Sequence, residues 1–504
     1  MKTNTLDFDA QALRDRILDL AMRGKLVPQD PSDEPASVLL EKIKAEKAEL
    51  VKEKKIKKSK PLPEITDDEK PFDIPDSWEW VRLGEVGNYI QRGRSPKYDK
   101  KNKSHPIISQ KCVQWENIYL KDAKYITKTF FDKLEDYRFV QENDVLWNST
   151  GTGTVGRLNI VKQNLDHIPV DSHVTLIRMN KQVNPDYIYY YLRSPEIQDN
   201  LNDYLTGTTK QKELGLTNIL KVKIPLPPLS EQSRIAAKIA QLFALLRKVE
   251  TSTQQYAKLQ TLLKSKVLDL AMRGKLVKQD PNDEPASELL KKIKAEKAEL
   301  VKEKKIKKSK PLPEITYDEK PFDLPDSWEW VRLGEVGSVK NGKTPKKEDI
   351  NSQGPYPYFK VKDMNNNRLY MNKVESYVDE KYKNQLLPKN TIIFPKNGGA
   401  VLTAKKRILI QSSLVDLNTG GLVPNSNINC KYLFYLFKSL NIKDYVKGSA
   451  VPTINSKKLK ETVVPLPPLS EQSRIAAKIA QLFALLRKGA GLGNAWEVGQ
   501  AGSK

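Results

Sequence analysis

Hydrophobic residues recur at helical spacing through a long central segment that contains no proline or glycine from Leu229 until Gly274. An alternating four–three spacing selects eleven positions, nine of them apolar: Ile235, Ile239, Leu242, Leu246, Val249, Thr253, Tyr256, Gln260, Leu263, Val267 and Leu270. Such a seam is typical of a coiled coil. It predicts a helical rod roughly 65 Å long at 1.5 Å per residue. The alternative is an ordinary amphipathic helix buried against one domain.

The two ends of the chain continue the same spacing. The N-terminal positions stop at Gly24 and the C-terminal positions stop at Gly489; they are Leu6, Ala10, Leu13, Ile17 and Leu20, then Ile475, Ile479, Leu482 and Leu486. The central helix therefore resembles the C-terminal segment joined directly to the N-terminal segment. We expect the terminal helices to lie together as a broken copy of the central one, which implies a pseudo-twofold internal repeat.

The chain also repeats its sequence directly. Ile17–Val86 returns as Val267–Val336 with seven of seventy positions changed, and Ile224–Lys248 returns as Val464–Lys488 with one change. A period of this length is far too long for a solenoid of short repeats. The pattern indicates a duplicated module in which a constant helical frame flanks a variable part.

The two variable parts run from about 78 to 225 and from about 328 to 465, an ordinary domain size. They share landmarks in one order: Gly93–Pro96 with Gly342–Pro345, Asp144–Asn148 with Thr391–Pro395, and Tyr187–Ser194 with Tyr432–Ser439. Short β-rich runs such as VTLIRM and TIIF, bounded by Gly, Asn and Pro, indicate strands. We predict one α+β fold that carries two different surfaces.

The chain is strongly basic and poor in cysteine and histidine. It has 86 Lys and Arg against 62 Asp and Glu, a net charge of +24, with two cysteines and three histidines. No apolar run is long enough to span a membrane, and the first residues lack the apolar stretch of a signal peptide. We expect a cytoplasmic protein whose first partners are polyanions. The alternative is that this chain comes from a proteome generally rich in lysine, in which case a basic surface gives little information about partners.

The motifs of several enzyme classes are absent from the sequence. It lacks a phosphate-binding GxxxxGK[ST] loop and the Asn/Asp-Pro-Pro-Tyr/Phe motif of amino-methyltransferases. The glycine-rich stretches 150–153 and 397–399 are interpreted as tight turns. His105, His167 and His173 occur in one copy only, which weakens any proposal of a metal site. We therefore predict no catalytic residue, cofactor or metal in this chain.

Basic and polar side chains crowd the loops of both variable parts. In the first they are Arg92, Arg94, Lys97, Lys111, Asn148, Ser149, Thr150, Arg157, Lys210 and Lys212. In the second they are Lys340, Lys343, Lys346, Lys347, Lys362, Lys396, Asn397, Lys405, Lys406 and Arg407. Lys and Arg position a protein on phosphates, whereas Asn, Gln and Arg also read base edges. Two unlike surfaces on one frame predict two unlike DNA half-sites.

These features together resemble the specificity subunit of type I restriction–modification enzymes over nearly all of residues 1–488. The marks are the twice-repeated PLPPLSEQ-x-RIAAKI, the DLAMRGKLVPQD-like segment and the Gly-x-Ser/Thr-Pro turns. The resemblance implies two globular α/β target recognition domains separated by long antiparallel coiled-coil helices. It also implies double-stranded DNA, two methyltransferase subunits and restriction/motor subunits as partners. Those partners, and not this chain, would use S-adenosylmethionine, ATP and Mg.

On this basis the chain divides into six regions. They are a helical region at 1–70, target recognition domain 1 at 71–229, a central helical region at 230–320, target recognition domain 2 at 321–469, a helix at 470–488 and a flexible tail at 489–504. The expected function is non-catalytic, sequence-specific recognition of a bipartite, asymmetric DNA site, together with scaffolding of the other subunits. The alternatives are a self-contained DNA-modifying enzyme and a protein-interaction scaffold whose basic surface is incidental.

Overall fold

A computed structural model describes residues 9–58, 60–99, 101–162, 165, 167–207, 212–304, 306, 310–448 and 451–488. The chain forms two compact units: the first unit spans Asp7–Ser252 and the second unit begins at Thr253. The boundary between them falls inside one long helix, α9. The predicted tail at 489–504, together with Leu6 and Lys210, lies outside the described residues.

The first unit packs helices around a four-stranded antiparallel sheet in the order β2-β7-β5-β6, with β1 and β10 as a separate antiparallel pair. Its helices are α1 (Ala10–Met22), α2 (Ala36–Lys52), α3 (Leu83–Val86), α4 (Lys128–Phe131), α5 (Pro185–Leu192), α6 (Pro195–Gln198), α7 (Leu201–Tyr204), α8 (Leu216–Leu220) and the first part of α9 (Leu229–Met272). Its strands are β1 (Glu79–Arg82), β2 (Gly87–Arg92), β3 (Pro106–Ile107), β4 (Lys124–Tyr125), β5 (Val145–Asn148), β6 (Leu158–Ile160), β7 (Val174–Met179), β8 (Leu205–Thr206), β9 (Glu213–Leu214) and β10 (Lys223–Leu226).

The second unit has a larger five-stranded sheet in the order β12-β19-β16-β17-β14, a three-stranded sheet β15-β13-β18 and the separate pair β11-β22. Besides the second part of α9, its helices are α10 (Ala286–Lys302), α11 (Leu333–Val336), α12 (Cys430–Ser439), α13 (Ser456–Glu461) and α14 (Leu469–Lys488). Its strands are β11 (Glu329–Arg332), β12 (Gly337–Asn341), β13 (Tyr356–Phe359), β14 (Tyr370–Met371), β15 (Tyr377–Val378), β16 (Ile392–Pro395), β17 (Arg407–Leu409), β18 (Leu414–Val415), β19 (Thr419–Pro424), β20 (Val446–Lys447), β21 (Thr453–Ile454) and β22 (Val463–Leu466).

Each unit contains an antiparallel helix pair of its own. In the first unit α1 runs against the first part of α9, with Arg14 near Glu250 and Gln29 near Glu231. In the second unit the end of α9 runs against α14, where the Gln260 amide donates to the Leu486 carbonyl at 2.5 Å. The predicted fold class, two α/β domains with long antiparallel helices, is confirmed. How the two chain ends lie relative to each other remains a prediction.

Burial along the predicted seam of α9 is uneven. Ile235 and Ile239 are fully buried, but Val249, Tyr256 and Leu263 are 44%, 39% and 41% exposed. Among the described residues, α1 has 13 residues and α14 has 20, whereas α9 has 44. The described parts of these two helices leave the central turns of α9 partly exposed within their own units.

An aromatic helix attaches each variable domain to this frame through the same contacts. Asn184 caps α5 and Asn429 caps α12, each accepting two backbone N–H groups with its side chain. The hydroxyl of Tyr187 donates to the Pro225 carbonyl at 2.5 Å. The hydroxyl of Tyr432 donates to the Pro465 carbonyl at 2.8 Å. The predicted correspondence between the segments at 187–194 and 432–439 therefore holds in three dimensions.

A buried carboxylate at the start of each repeated helix completes the attachment. Glu231 accepts the indole N–H of Trp78 at 2.9 Å and the amide of Gln29 at 2.5 Å. Burial raises the pKa of Glu231, and these two hydrogen bonds oppose the rise by stabilising its charged form. Glu471 accepts from Trp328 at 2.8 Å in the same way. Both variable domains are thus joined to their helices by identical chemistry.

Candidate nucleic-acid interface

In the first unit the polar loops gather at one end of the four-stranded sheet. Arg92 at the end of β2 pairs with Thr175, and Asn148 at the end of β5 pairs with Val174. Because neighbouring strands are antiparallel, the ends of β2 and β5 meet the beginning of β7. The loops at 93–97, 149–157 and 171–173 therefore share one edge, which we call the first loop edge.

A glycine brings the loop after β2 against that edge. A Cβ atom at Gly93 would lie 1.9 Å from the carbonyl oxygen of Val170, so only glycine fits this close approach. Gly342 occupies the matching place in the second unit, where a Cβ atom would lie 2.1 Å from the carbonyl oxygen of Asp416. The two Gly-x-Ser/Thr-Pro turns noted in the sequence have the same structural role.

Three of the predicted lysines project from the loops of the first unit. Lys97 and Lys111 are exposed, and Lys212 is exposed with its ammonium group 2.8 Å from the Asn202 side-chain oxygen. Thr150 lies beside them and its hydroxyl is 2.6 Å from Nδ1 of His173. His173 was set aside in the sequence because it occurs in one copy. Its position directly before β7 was the signal that placed it on this edge.

Asn148 and Ser149 are corrections, because both side chains lie inside the domain and are fully buried. The Asn148 amide donates to the Gln110 carbonyl at 2.9 Å. The Ser149 hydroxyl is 2.5 Å from the Thr175 hydroxyl. Asn148 ends β5 and faces the turn at Gln110, whereas Ser149 follows the strand and faces Thr175 of β7. They support the turn near Gln110 and present no surface to a base in this structure.

The three arginines predicted for the first domain are held by protein groups. Arg92 donates to the Leu214 carbonyl at 2.7 Å, and Arg157 donates to the Gln114 side-chain oxygen at 2.8 Å. Arg94 forms an exposed ion pair with Glu135 at 2.8 Å. A phosphate would replace Glu135 as the partner of Arg94 at little cost in stability, because exposed ion pairs contribute little to stability.

The second unit builds the same arrangement, which we call the second loop edge. Asn341 at the end of β12 pairs with Gly420, and Pro395 at the end of β16 pairs with Thr419. Four predicted lysines in β12 and in the loop after it are exposed: Lys340, Lys343, Lys346 and Lys347. Lys396 donates to the Asn341 side-chain oxygen at 2.7 Å, and Asn397 donates to the Leu417 carbonyl at 3.1 Å.

The remaining predicted cations of the second unit lie near the beginning of β17. Lys362 is exposed 3.7 Å from Glu375, and Lys405 donates to the side-chain oxygen of Asn365. Arg407 donates to the backbone carbonyls of Asn367 and Met364 at 2.6 and 2.9 Å. Its guanidinium therefore stabilises the preceding loop.

Lys406 is a further correction, because it is only 6% exposed. Its ammonium nitrogen lies 4.6 Å from the ring centre of Phe437. Burial, followed by repulsion from Lys438, lowers the pKa of Lys406 to about 8. The residue is inside because β17 directs it toward α12, and sequence alone gave no sign that a lysine would take a core position.

The loop tips of the two edges correspond residue by residue. The N–H of Ser149 donates to the His173 carbonyl at 2.8 Å, and the N–H of Lys396 donates to the Asn418 carbonyl at 2.7 Å. Thr150 and Asn397 follow them and form matching backbone bridges. One backbone therefore presents Thr and His in the first unit and Lys and Asn in the second.

The structure also bears on metal binding and on membrane insertion. Among the described residues, no group of three or more His, Cys, Asp and Glu side chains is placed to hold a metal ion. Within the same ranges, no helix combines the length and the apolar character needed to cross a membrane.

Known proteins resemble this chain over most of its length. The family described as "Type I restriction modification DNA specificity domain" matches residues 75–260 and 325–490. The type I restriction enzyme EcoAI specificity subunit of Escherichia coli is 34% identical over 95% of this chain and 90% of its own length. The EcoEI specificity subunit of Escherichia coli is 31% identical over 94% of this chain and 89% of its own length.

A solved structure supports the fold. A chain from a study of complex assembly and conformational transition in the type I R-M system covers 84% of this chain and 94% of its own length, at 20% identity and a TM-score of 0.53. The matched sequence segments take in both loop edges and both repeated helix starts. The chain therefore belongs to the type I restriction–modification DNA specificity family, and its role is to supply DNA-recognition specificity in such a complex.

Proposed function

We propose that the chain recognises a bipartite, asymmetric site on double-stranded DNA, with one half-site read by each loop edge. The observation that carries the proposal is the repeated edge, one backbone arrangement with two sets of side chains. Exposed lysines such as Lys97 and Lys343 supply phosphate contacts, which position a protein without reading sequence. Thr150 and His173 in the first unit, and Asn397 in the second, supply the polar groups for base edges.

The proposal includes the partners that perform chemistry. Each unit has its own antiparallel helix pair. This duplication is the reason to propose that one methyltransferase subunit binds each unit. Restriction/motor subunits would then bind to that assembly. Methyl transfer from S-adenosylmethionine and ATP-driven work with Mg would belong to those subunits, in the cytoplasm. The chain itself would be non-catalytic, acting by holding the duplex where a partner reaches the flipped adenine.

The decisive experiment maps methylated adenines in DNA from cells that carry the complete system. A site with two unlike specific halves is expected. The double variant Lys97→Ala/Lys111→Ala should weaken binding on every sequence and reduce its salt dependence, because phosphate contacts are lost. Thr150→Ala should relax only one half of the site. Lys221→Ala is the control, since Lys221 is exposed in the same unit and its carbonyl accepts from Arg82 at the end of β1.

Two results would redirect the proposal. Methyl transfer by the purified chain alone would identify it as a self-contained modifying enzyme. Binding by the assembled complex that has no preferred sequence and no dependence on salt would identify a scaffold with an incidental basic surface. Relaxation of both half-sites by Thr150→Ala would contradict separate reading by the two edges.

A further inference from the structure

An apolar side chain projects from the turn between β18 and β19 on the second loop edge. Leu417 is 58% exposed at the tip of this turn, directly after Asp416. The Asp416 carbonyl accepts the N–H of Thr419 at 3.0 Å and so closes the turn. Positions in such turns are usually occupied by Gly, Pro, Asn, Asp or Ser. Local turn chemistry therefore does not account for a leucine at this tip.

The first loop edge has the same turn with a polar side chain at its tip. There the N–H of Val174 donates to the Asp171 carbonyl at 3.1 Å, which encloses Ser172. The carbonyl of His173 accepts the first N–H after β5, and the carbonyl of the residue after Leu417 accepts the first N–H after β16. Ser172 therefore occupies in the first unit the place that Leu417 occupies in the second.

The backbone of Leu417 is held from both sides. Its N–H donates to the Thr344 hydroxyl at 3.1 Å, and its carbonyl accepts the Asn397 side-chain amide at 3.1 Å. Thr344 belongs to the Gly-x-Ser/Thr-Pro turn after β12, and Asn397 lies in the loop after β16. Two loops of the edge thus anchor this one residue. A ligand that contacts its side chain has little backbone entropy left to remove.

The loops that hold Leu417 also carry cations. Lys343 is exposed and directly precedes Thr344, and Lys396 directly precedes Asn397. Lysine is depleted at protein–protein interfaces, whereas it supplies phosphate contacts on DNA. The flanking cations therefore favour a duplex over another protein as the ligand that covers Leu417.

The chemistry of a leucine side chain restricts what it can read on a duplex. It has no hydrogen-bond donor or acceptor, so it contributes to a base edge only by apolar contact. In the major groove the apolar group of a base pair is the C5-methyl group of thymine, and the other groups there donate or accept hydrogen bonds.

We propose that Leu417 determines one position of the half-site read by the second loop edge, by contact with the C5-methyl group of a thymine. The assignment rests on the proposed function and names one base of its site. A cytosine at that position would lose the methyl contact and bring its amino group against an apolar surface, where it would lack a hydrogen-bond partner. Ser172 gives the first loop edge no such preference, so the two half-sites differ at this position.

A neighbouring loop carries another exposed apolar side chain. Val451 is 62% exposed, and Asn397 forms a backbone bridge with Thr453, two residues further along. Leu417 is assigned the methyl contact because its backbone is held by the loops after β12 and β16. Val451 serves as the comparison in the test.

The test uses the full-length chain assembled with methyltransferase subunits and duplexes that carry its mapped site. Each thymine of the site is replaced in turn by deoxyuridine, which removes only the C5-methyl group. One replacement, in one half-site, is expected to weaken binding about fourfold, the effect of losing one buried methyl group. Competition binding at one fixed salt concentration measures the ratio, because phosphate contacts change with salt.

Variants of the leucine identify the residue that makes the contact. Leu417→Ala should bind the thymine and deoxyuridine duplexes equally, while recognition of the other half-site is kept. Leu417→Met should keep the preference for thymine, because methionine remains apolar and adapts its shape. Ile410→Ala is the matched control and should behave like the wild-type chain. Ile410 is 41% exposed and follows β17 at the opposite end of the same sheet.

Several results would overturn the proposal. One is a wild-type complex that keeps its sequence preference but tolerates every deoxyuridine replacement. Another is a methyl effect that survives in Leu417→Ala or disappears in Val451→Ala instead. Weaker binding of Leu417→Ala on every sequence would assign the side chain to insertion between base steps and would also overturn it. A wild-type complex without any preferred sequence would instead contradict the proposed function, so the two failures are distinguishable.

Discussion

The first and second units form the same contacts in their helical frames. They differ in the side chains at their loop edges and in which cations are buried. Trp78 and Glu231 are 2.9 Å apart where they hydrogen bond, and Trp328 and Glu471 are 2.8 Å apart. The sheets between these contacts have four strands in one unit and five in the other. The contacts that attach each variable domain to its helices are therefore separate from its loop edge, so the loops can vary while the attachment is kept.

A second shared contact strengthens that conclusion. Arg82 and Arg332 are both nearly buried, and each is paired with a glutamate, Glu69 at 2.8 Å and Glu319 at 2.7 Å. The hydrogen bonds from Arg332 are the main reason that the pKa of Glu319 falls to about 2. Both pairs tie the linker before the variable domain to its first strand. The linker thus enters each domain at the same point whatever the loops contain.

The difference in cations has its clearest case in β6 and β17. Leu158 pairs with Trp147, and the registers Ile392↔Ile408 and Ile393↔Arg407 bring Lys406 to the matching place beside Phe394. Leu158 is fully buried and Lys406 is 6% exposed. One unit therefore tolerates in its core a charge that the other replaces with an apolar side chain.

Placing the charge in the first unit should have the largest effect. Leu158→Lys is expected to destabilise the first unit by about 4 kcal/mol, because it buries a cation without a compensating partner. The measurement is urea unfolding, with hydrogen exchange followed over the strands of each unit separately. Leu158→Met is the control and should cost under about 1.5 kcal/mol. Equal exchange in both units for Leu158→Lys would contradict the comparison.

The next largest effect is expected from a side chain at Gly93, where the loop after β2 approaches the backbone of Val170. Gly93→Ala is expected to cost about 2–4 kcal/mol of local stability, since the added Cβ meets a backbone oxygen that must move. Recognition of one half-site should fail while the other is kept. Gly342→Ala should produce the reverse pattern. Competition binding with DNA altered in either half measures both. Gly215→Ala is the control in the same unit, because its backbone is extended and its added Cβ meets no atom closer than 3.7 Å.

Removing the buried charge from the second unit should stabilise it. The unfolded chain holds the Lys406 proton up to about pH 10.5, whereas the folded chain releases it near pH 8. The penalty is therefore full below pH 8 and disappears as the pH rises toward 10.5. Lys406→Met should gain about 3 kcal/mol at pH 7 and little at pH 10.5. Thermal unfolding at both pH values checks this, and a pH-independent gain would argue against the charge as its cause.

The smallest expected effect concerns the helix pairs. A double-mutant cycle of Arg14→Ala and Glu250→Ala should give a coupling energy of about 0.5–1 kcal/mol, because the pair is partly exposed. Lys264→Ala in the second unit should leave stability unchanged or slightly higher, since it removes repulsion. Urea unfolding of the three variants and the wild type measures both. Absence of coupling in the first unit would remove the contrast between the two helix pairs.

Periodicity and repetition were enough to predict the frame. The spacing that begins at Ile235 predicted a long helix, and α9 runs from Leu229 to Met272. The missing coverage at Val249 and Tyr256 was not predictable, because a heptad pattern states which face is apolar and not what length of partner lies beside it. The correspondence of turns such as those at Gly93 and Gly342 was also visible in the sequence.

The site was predicted at the level of loops and not of side chains. Composition predicted lysines on the loops of each edge, and Lys97, Lys111 and Lys343 are exposed there. It misplaced Asn148 and Lys406, because whether a polar residue faces a groove or a core depends on the strands that flank it. His173 was missed for a related reason, since its partner Thr150 is distant in sequence and adjacent only in the sheet.

By itself, the sequence determined the α+β class, the duplicated frame, the matching loops of the two variable parts and the family, because local periodicity and repetition can be read along the chain. Only the tertiary structure decided which polar groups reach solvent and which cations are buried. Those properties depend on which strands and helices become neighbours, and burial and charge act between neighbours in space.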